Sequence, residues 1–398
     1  MREPTTLTVT SRQVIAFRLS RSGLRRRTGE LLAAVGEVGL PDFPPGAAQA
    51  ALAPRLRDAS PSTLDQAFEQ RVLVRMRAMR GAPVVVRAEE LALFAAGVLP
   101  PDEKSMRAFI GPALASVKAA KLSVLEAVEW VTREATAALA HGPLDRDALH
   151  AELRRRVPQG LLPYCRPCDS HHVHPALLYA AALAAPLVLF PQDEGPYLLA
   201  RADRWLGGKR AHKKGGTAPA VELLRRFLRV YGPSTVEDFA AWAGLGGGQP
   251  QAMWAALKHE LVPVEVRLDT PRAGARPSVR WILQSDAKSL AAADPEALGS
   301  VVRLLSPGDP LLQLRDRALL VSDSTLQKAI WKNLGPTGLA LVGTTLIGLT
   351  RVQKKQSSLQ LTVEMTGKAD SKLRAAVEEE AAHLARVRGA VGVKTVWR

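Results

Sequence analysis

Residues Gly39 to Gly81 read GLPDFPPGAAQAALAPRLRDASPSTLDQAFEQRVLVRMRAMRG, and the predicted fold rests on this stretch. The alanine-rich run from Ala47 to Leu56 predicts a helix, and the apolar run from Val72 to Met79 predicts a strand. A second apolar run, Val84 to Val86, follows the turn at Gly81 and predicts a partner strand. Helices followed by a two-stranded hairpin are the element order of a winged helix, so we expect a winged helix here.

The same order of helices and then a hairpin occurs twice more along the chain. In the second copy the predicted helices are Leu122 to Leu139, Asp145 to Arg156 and Pro175 to Ala185, and the predicted strands are Leu187 to Phe190 and Tyr197 to Ala200. In the third copy the predicted helices are Ala220 to Tyr231 and Pro250 to His259, and the predicted strands are Val262 to Leu268 and Val279 to Leu283. Ser234 with Glu237 predicts a capping box for a further short helix. Beyond the third copy, β-prone runs such as Leu339 to Leu349 precede a predicted helix from Ser371 to Arg388.

Composition favours a modular protein that meets a polyanion. The chain has 398 residues, 47% of them apolar, which suits two to four domains. It carries 54 Lys and Arg against 38 Asp and Glu, a net charge of +16, and nucleic acid is the obvious polyanionic partner. The two cysteines cannot form a disulfide framework, which predicts a reducing compartment. No apolar run reaches the ~20 residues that span a bilayer, and the start lacks a signal-peptide core, so we expect a cytoplasmic protein without membrane insertion.

Several motifs of the chain, in order and spacing, resemble those of the AlkZ-like DNA glycosylase family. The opening stretch contributes Val74, Arg75, Met79, Arg80 and Gly81. The other matching elements are Cys165-Arg166-Pro167-Cys168-Asp169-Ser170-His171-His172-Val173, Arg204-Trp205-Leu206-Gly207, Arg225 to Thr235, Pro307-Gly308-Asp309-Pro310 and Arg315-Asp316-Arg317.

The resemblance implies a fold, a location and a partner. The implied fold is α+β, with three winged-helix units in a C-shaped scaffold plus a C-terminal β-barrel. We assign residues 1–100, 101–206 and 217–295 to the winged helices, 207–216 to a basic flexible linker, and 296–398 to the barrel with its C-terminal helix. The implied partner is double-stranded DNA in a bacterial cytoplasm, where the protein would be nucleoid-associated when bound. The sequence does not give the oligomeric state.

The catalytic motif of the family is replaced in this chain. The family carries Gly-Leu-Gln-x-Gln-x-Pro, whose two glutamines hold the nucleophilic water, but the sequence here is Gly39-Leu40-Pro41-Asp42-Phe43-Pro44-Pro45. Pro41 has no polar side-chain group and Phe43 can only pack. Asp42 is a candidate general base, and its alternative role is a solvent-exposed turn or helix N-cap. Where the family has Arg-Gly-Thr-x-His, this chain has Arg80-Gly81-Ala82-Pro83-Val84, so further polarity is lost.

Two further groups of residues are candidate sites. Cys165, Cys168, His171 and His174 offer a tetrahedral set for structural zinc, and the alternative is free thiols and histidines that pack a turn. No other cofactor is expected. The candidate phosphate contacts are Arg25-Arg26-Arg27, Lys209-Arg210, Lys213-Lys214, Arg272 with Arg276, and Arg351 with Lys354-Lys355. The hairpin Arg351 to Ser358 occupies the place of the family hairpin that probes the minor groove. Asp309 is a candidate cleft residue, unless Arg and Asp side chains in this segment pair to anchor the barrel.

We therefore predict recognition of damaged or distorted duplex DNA without the glutamine-based chemistry. Two alternatives stay open at this point. One is an active glycosylase that excises bulky alkylated bases or unhooks crosslinks, and the other is a transcription regulator that reads an operator. Whether the chain is an enzyme is thus undecided by sequence.

Overall fold

The computed structural model describes residues 6–190, 197–207, 218–269, 278–332 and 337–398, and it has the predicted mixed α+β composition. Its strands are β1 (Leu7–Thr10), β2 (Leu40–Pro41), β3 (Leu73–Arg77), β4 (Pro83–Arg87), β5 (Tyr164–Cys165), β6 (Ser170–His171), β7 (Leu187–Phe190), β8 (Leu198–Arg201), β9 (Leu261–Arg267), β10 (Ser278–Leu283), β11 (Val302–Leu305), β12 (Thr337–Val342), β13 (Thr345–Lys355), β14 (Ser358–Met365) and β15 (Val393–Trp397). Its helices are α1 (Ser11–Arg21), α2 (Leu31–Val35), α3 (Ala47–Leu52), α4 (Thr63–Glu69), α5 (Leu91–Val98), α6 (Glu103–Phe109), α7 (Leu114–Ala119), α8 (Val124–Ala138), α9 (Arg146–Arg156), α10 (Pro175–Ala184), α11 (Ala202–Trp205), α12 (Pro219–Tyr231), α13 (Val236–Ala243), α14 (Gln249–Leu257), α15 (Ala287–Ala291), α16 (Ser324–Trp331) and α17 (Ser371–Val387). None of the helices described is long and apolar enough to cross a bilayer.

The chain divides into two compact units, each assembled from separate segments. Unit 1 comprises Met1–Ala67, Arg225–Asp238 and Leu257–Arg398, and unit 2 comprises Phe68–Leu224 and Phe239–Ala256. The linear division into five segments stays a prediction, and most of its basic linker lies outside the described residues.

Two sheets are formed entirely by strands from the described residues of unit 1. In the first, β9 lies between β1, which runs parallel to it, and β10, which runs antiparallel. The second sheet has the order β11-β12-β13-β14-β15, and α17 packs on it through Val377 and Ala381 against Leu361 and Val363. The same helix contacts α3 farther along, where Leu384 joins a small apolar cluster. Helix α17 therefore links the second sheet to the helix that follows the motif segment.

The predicted closed β-barrel is wrong. Among the described residues the second sheet is open, with β11 and β15 as its edges. The last strand follows α17 and adds parallel to β14, with Leu359 opposite Val393, instead of closing onto β11. Since α17 covers one face of this sheet, its apolar side chains are buried by a helix and need no closure.

Unit 2 combines a helical core with sheet strands that lie in the order β4-β3-β7-β8. The hairpins of the first and second predicted copies thus meet in one sheet, since Met76 of β3 lies opposite Val188 of β7. Helix α8 begins at a capping box in which Ser123 and Glu126 bond reciprocally to backbone amides, and its face bearing Val131 is buried against α10.

Most predicted elements occur close to their predicted bounds, but one cap differs. The capping residue of α13 is Thr235, whose Oγ1 accepts from the Asp238 backbone N at 3.1 Å. Ser234, the predicted cap, is buried and pairs through its backbone with Trp281. The capping pattern was therefore assigned one residue too early.

Candidate functional site

The motif segment Gly39–Pro45 places its carboxylate inside the protein. Asp42 is 1% exposed, and its Oδ1 accepts from the backbone N of Gly46 at 3.0 Å and of Ala48 at 3.1 Å. These amides belong to the start of α3, where unpaired N–H groups favour an acceptor of negative charge. Asp42 thus serves the helix N-terminus, but from a buried position and not from the solvent-exposed turn of the sequence-based alternative.

Phe43, the next residue, is exposed to solvent. Its side chain is 49% exposed, whereas Asp42 beside it is buried, as expected where neighbouring side chains of an extended segment point to opposite sides. The expectation that Phe43 packs is therefore not met. At the position of the second glutamine, this chain presents an aromatic ring to solvent.

The Pro307 to Pro310 element packs directly against the motif segment. A Cβ placed on Gly308 would lie 2.5 Å from the Ala47 Cβ and 3.4 Å from the Phe43 carbonyl oxygen, so glycine is required for this close approach. Only a residue without a side chain lets the two segments meet.

Asp309 lies in the interior and forms a bidentate ion pair. It is 0% exposed, and its oxygens accept from Arg55 Nη1 at 2.6 Å and Arg55 Nη2 at 3.0 Å. Arg55 also donates to the Ala51 carbonyl oxygen at 2.8 Å. This placement favours the anchoring role for Asp309 over a position in a cleft, since both carboxylate oxygens are used by the fold.

The neighbouring Arg315-Asp316-Arg317 element contributes a second buried ion pair. Asp316 accepts from Arg18 at 2.6 and 3.1 Å and from Arg280 at 3.1 Å. Burial alone would raise the pKa of the Asp316 carboxyl, but Arg18 and then Arg280 outweigh burial and hold that pKa below its usual range. This carboxylate also stabilises the fold of unit 1.

The predicted cationic residues differ in their surroundings. Arg25 and Arg26 are exposed, whereas Arg27 donates to Glu380 Oε1 at 2.6 Å and to the Ala53 carbonyl oxygen at 2.8 Å. Arg27 therefore supports the contact between α3 and α17. Some predicted phosphate contacts lie outside the described residues, namely Lys209, Arg210, Lys213, Lys214, Arg272 and Arg276.

The β13–β14 hairpin presents a polar, cationic face. Strand β13 continues to Lys355, beyond the predicted β-prone run that ends at Leu349, so its cations lie on the strand. Residues paired across neighbouring strands share a face of the sheet. The pairs on this face are Arg351 with Thr362, Gln353 with Gln360, Lys355 with Ser358, and Gln360 with Lys394 of β15.

This surface, which we call the cationic face, is defined by Arg351, Lys355 and Lys394, all of them exposed. Lys354 has the opposite orientation, because it pairs with Leu359, which is buried on the core side of the sheet. The sequence selected Lys354 and missed Lys394, since the parallel pairing of β15 with β14 cannot be read from a run of basic residues.

The two cysteines lie in a short hairpin of unit 2. Strands β5 and β6 pair so that Cys165 lies opposite Ser170, and the turn between them contains Cys168 and the left-handed residue Asp169. The Cys165 and Cys168 thiols, which are not joined in a disulfide, and a ring nitrogen of His172 all lie within 4.8 Å of one another. A hydrogen bond with Cys165 raises the pKa of the Cys168 thiol.

The histidine that lies beside the two cysteines is His172, and not His171 or His174, which the sequence predicts. His171 Nδ1 lies 2.9 Å from the Leu162 carbonyl oxygen, and His174 Nδ1 accepts from the Ala176 backbone N at 3.1 Å at the start of α10. His172 is buried against the ring of His150, with ring centroids 4.5 Å apart. Burial, followed by the proximity of His172, lowers the pKa of His150 to about 4, so His150 is neutral near pH 7.

Comparison with known proteins agrees with the motifs. The sequence pattern of one protein family, described as DNA glycosylase AlkZ-like, matches residues 33–387. The fold is similar to that of the Streptomyces sahachiroi DNA glycosylase AlkZ, with a TM-score of 0.73 and 20% sequence identity. That similarity covers 98% of this chain and 100% of the other. No curated protein matches the sequence significantly.

Proposed function

Because the chain belongs to the AlkZ-like DNA glycosylase family, we propose that it binds duplex DNA and recognises damaged or distorted sites without the glutamine-based hydrolysis of that family. In this proposal the three repeats of helices and hairpin act as winged-helix units, and the motif segment meets the altered nucleotide. The proposal assigns the protein to DNA repair as a reader of damage.

The environment of Asp42 carries the proposal. A general base has to reach the proton that it removes, either directly or through one water molecule. The Asp42 carboxylate is 1% exposed and accepts hydrogen bonds from the Gly46 and Ala48 amides. This arrangement supports a structural carboxylate, and neither Pro41 nor Phe43 offers a polar group that could replace the missing glutamines.

Phe43 supplies an alternative to catalysis, which is recognition by stacking. An exposed aromatic ring can stack on a base, and this interaction tolerates many base structures because every base has a π-face. The net free energy of this interaction is more favourable where a lesion already weakens base pairing, because less energy is needed to unstack the nucleotide there. The ring of Phe43 is thus suited to sensing a distorted nucleotide.

The charge of the molecule supports the DNA partner. A net charge of +16 attracts a polyanion at long range, and the cationic face of β13–β14–β15 offers cations at close range. In the proposal this face contacts DNA phosphates next to a groove, and Arg25 and Arg26 supply further contacts.

A binding and excision experiment tests the function. The protein is incubated with duplex DNA that carries one alkylated purine and with the same duplex unmodified, and each sample is then heated in base to convert abasic sites to strand breaks. We expect tighter binding to the alkylated duplex and no breaks above background. Breaks that require the native protein would identify an active glycosylase, and equal affinity for both duplexes would contradict damage recognition.

The Phe43→Ala variant assigns the recognition step, with Leu125→Ala as its control. Leu125 is a comparably exposed apolar residue, 40% accessible, in unit 2. We expect Phe43→Ala to reduce the preference for the alkylated duplex about tenfold, because stacking on one base contributes ~1–3 kcal/mol. The control should keep the preference of the native protein.

A further inference from the structure

Independently of the proposed DNA function, we propose that the Cys165–Cys168–His172 cluster binds a zinc ion. The cluster joins the β5–β6 hairpin to the segment that leads into α10, and all three residues belong to unit 2. Two thiolates and a neutral imidazole are a ligand set that suits Zn²⁺.

The separation of the ligand atoms is close to that of a zinc site. Bonds of about 2.3 Å to sulfur and 2.0–2.1 Å to nitrogen at tetrahedral angles place neighbouring ligand atoms about 3.5–3.8 Å apart. The two sulfurs and the His172 nitrogen already lie within 4.8 Å of one another. The distances between the ligand atoms therefore have to shorten by about 1 Å. Side-chain rotations of the two cysteines in the short hairpin turn can provide this change.

The hydrogen bonding of His172 fixes its tautomer in the form that a metal needs. His172 Nδ1 lies 2.8 Å from the Val173 carbonyl oxygen, and because a carbonyl only accepts, Nδ1 must carry the proton. The neutral ring then has a lone pair on Nε2. A carbonyl that accepts from the second ring nitrogen is the usual outer partner of a metal-binding histidine.

The surroundings of His172 Nε2 also favour a bound ion. The His172 side chain is 7% exposed, and Nε2 is buried without a hydrogen-bond partner among the described residues. A buried acceptor without a partner costs about 1–3 kcal/mol, and a zinc ion at the cluster would satisfy it.

His171, the first histidine of the set predicted from the sequence, is directed away from the cysteines. It ends β6, and its ring nitrogen Nδ1 lies 2.9 Å from the Leu162 carbonyl oxygen. The next residue along the extended chain points to the opposite side, so His172 reaches the sulfurs. Cys168 is exposed, which leaves a fourth coordination position open to a water molecule.

Metal analysis of the 398-residue chain tests the proposal. The reduced protein is loaded with Zn²⁺, dialysed and measured by elemental analysis, and a second sample is loaded with Co²⁺ as a spectroscopic probe. We expect about one metal per chain and the thiolate-to-cobalt charge-transfer absorption of a tetrahedral site. Substoichiometric metal, or cobalt without the thiolate band, would overturn the proposal.

Matched variants identify the ligands. His172→Gln and Cys165→Ser should lose the thiolate-to-cobalt band or weaken it severely, whereas His171→Gln, which changes the adjacent histidine, should keep it. A band that survives in His172→Gln and disappears in His171→Gln would refute the assignment.

A measurement on the native chain covers the case in which the variants do not fold. Zn²⁺ should protect both thiols from alkylation, and a chelator should restore their reactivity. Equal alkylation with and without Zn²⁺ would overturn the proposal. A Cys165–Cys168 disulfide that forms regardless of added metal would show that the pair is a redox pair and not a zinc site.

Discussion

The motif segment Gly39–Pro45 and the cationic face of β13–β14–β15 both belong to unit 1, but they use their polar groups in opposite ways. In the motif segment, Asp42 is buried and bonded to helix amides, and Asp309 in the adjoining element is paired with Arg55. On the cationic face, Arg351, Lys355 and Lys394 are exposed. The charges of the motif segment and its adjoining element stabilise the fold, whereas those of the cationic face are exposed and available to a partner.

This difference in burial predicts that substitutions in the two regions affect different properties, namely stability and DNA affinity. Substitutions of buried charges around the motif segment should change stability and leave DNA affinity per folded molecule intact. Substitutions on the cationic face should change affinity and leave stability intact, because exposed charges contribute little to folding.

The largest effect is expected for Asp309→Ala. The substitution leaves Arg55, which is buried with 2% of its side chain exposed, without its carboxylate partner. Loss of one partner of a buried pair costs about 3–5 kcal/mol, and urea unfolding should report that decrease. The control Glu296→Ala removes the exposed pair with Arg12 and should cost less than about 1 kcal/mol. A stable Asp309→Ala protein that no longer binds DNA would instead return Asp309 to a cleft.

The next largest effect is expected for the triple variant Arg351→Ala, Lys355→Ala and Lys394→Ala. If the native protein neutralises ~6 phosphates, log affinity should fall against log salt with a slope of about −5, and three lost contacts should reduce that slope by about 2–3. Affinity at moderate salt should fall at least about tenfold. Titrations of labelled duplex at several salt concentrations measure both quantities.

Lys354→Ala is the matched control for that triple variant. Lys354 is on the same strand but pairs with Leu359 on the core side of the sheet. Its substitution should change affinity less than any single substitution on the cationic face. Equal losses for Lys354 and Lys355 would mean that the hairpin binds through its tip and not through one face.

Local elements of this fold could be predicted from sequence, whereas pairings between distant segments could not. Helix α8 was expected over Leu122 to Leu139 and is observed as Val124–Ala138, since its apolar period and its Ser123 cap lie within one stretch. Strand β1 was missed because it is short and pairs with β9, more than 250 residues away, with Leu7 opposite Val264. The open edge of the second sheet has the same origin, since β15 pairs parallel to β14.

Residue types at the candidate sites were predictable, but burial was not. The loss of the glutamines is visible in the letters Pro41-Asp42-Phe43, but the letters do not show that Asp42 is buried beside an exposed Phe43, nor that Gly308 packs closely on Ala47. Likewise the Cys-x-x-Cys pair was recognised, but the register of the β5–β6 hairpin decides that His172 lies beside it. Tertiary contacts set both outcomes.

A smaller effect is expected when the missing glutamines are restored by Pro41→Gln with Phe43→Gln. Two amides on the exposed side of the segment could hold a water molecule, and a well-placed group of this kind contributes ~10²–10⁴ in rate. Because the Thr-x-His polarity of the family strand is also absent, we expect excision of alkylated purine to rise only about tenfold, measured as base-labile breaks. The single variants, each with one glutamine, serve as controls and should stay near background. An unchanged rate in a folded double variant would show that other parts of the pocket have changed as well.

The smallest effect is expected for Asp42→Asn, which tests the comparison at its central residue. Asparagine keeps a side-chain carbonyl oxygen that can accept from the Gly46 and Ala48 amides, whereas the favourable interaction of charge with the helix N-terminus is lost. That interaction contributes about 0.3–1 kcal/mol, and urea unfolding should detect no larger decrease. Asp42→Ala removes the acceptor itself and should cost about 1–2 kcal/mol. DNA affinity and any base-labile breakage should be the same in Asp42→Asn as in the native protein. If Asp42→Asn abolished a native excision activity while unfolding at the same urea concentration, the carboxylate would be catalytic, and the motif segment would belong with the cationic face as a functional surface.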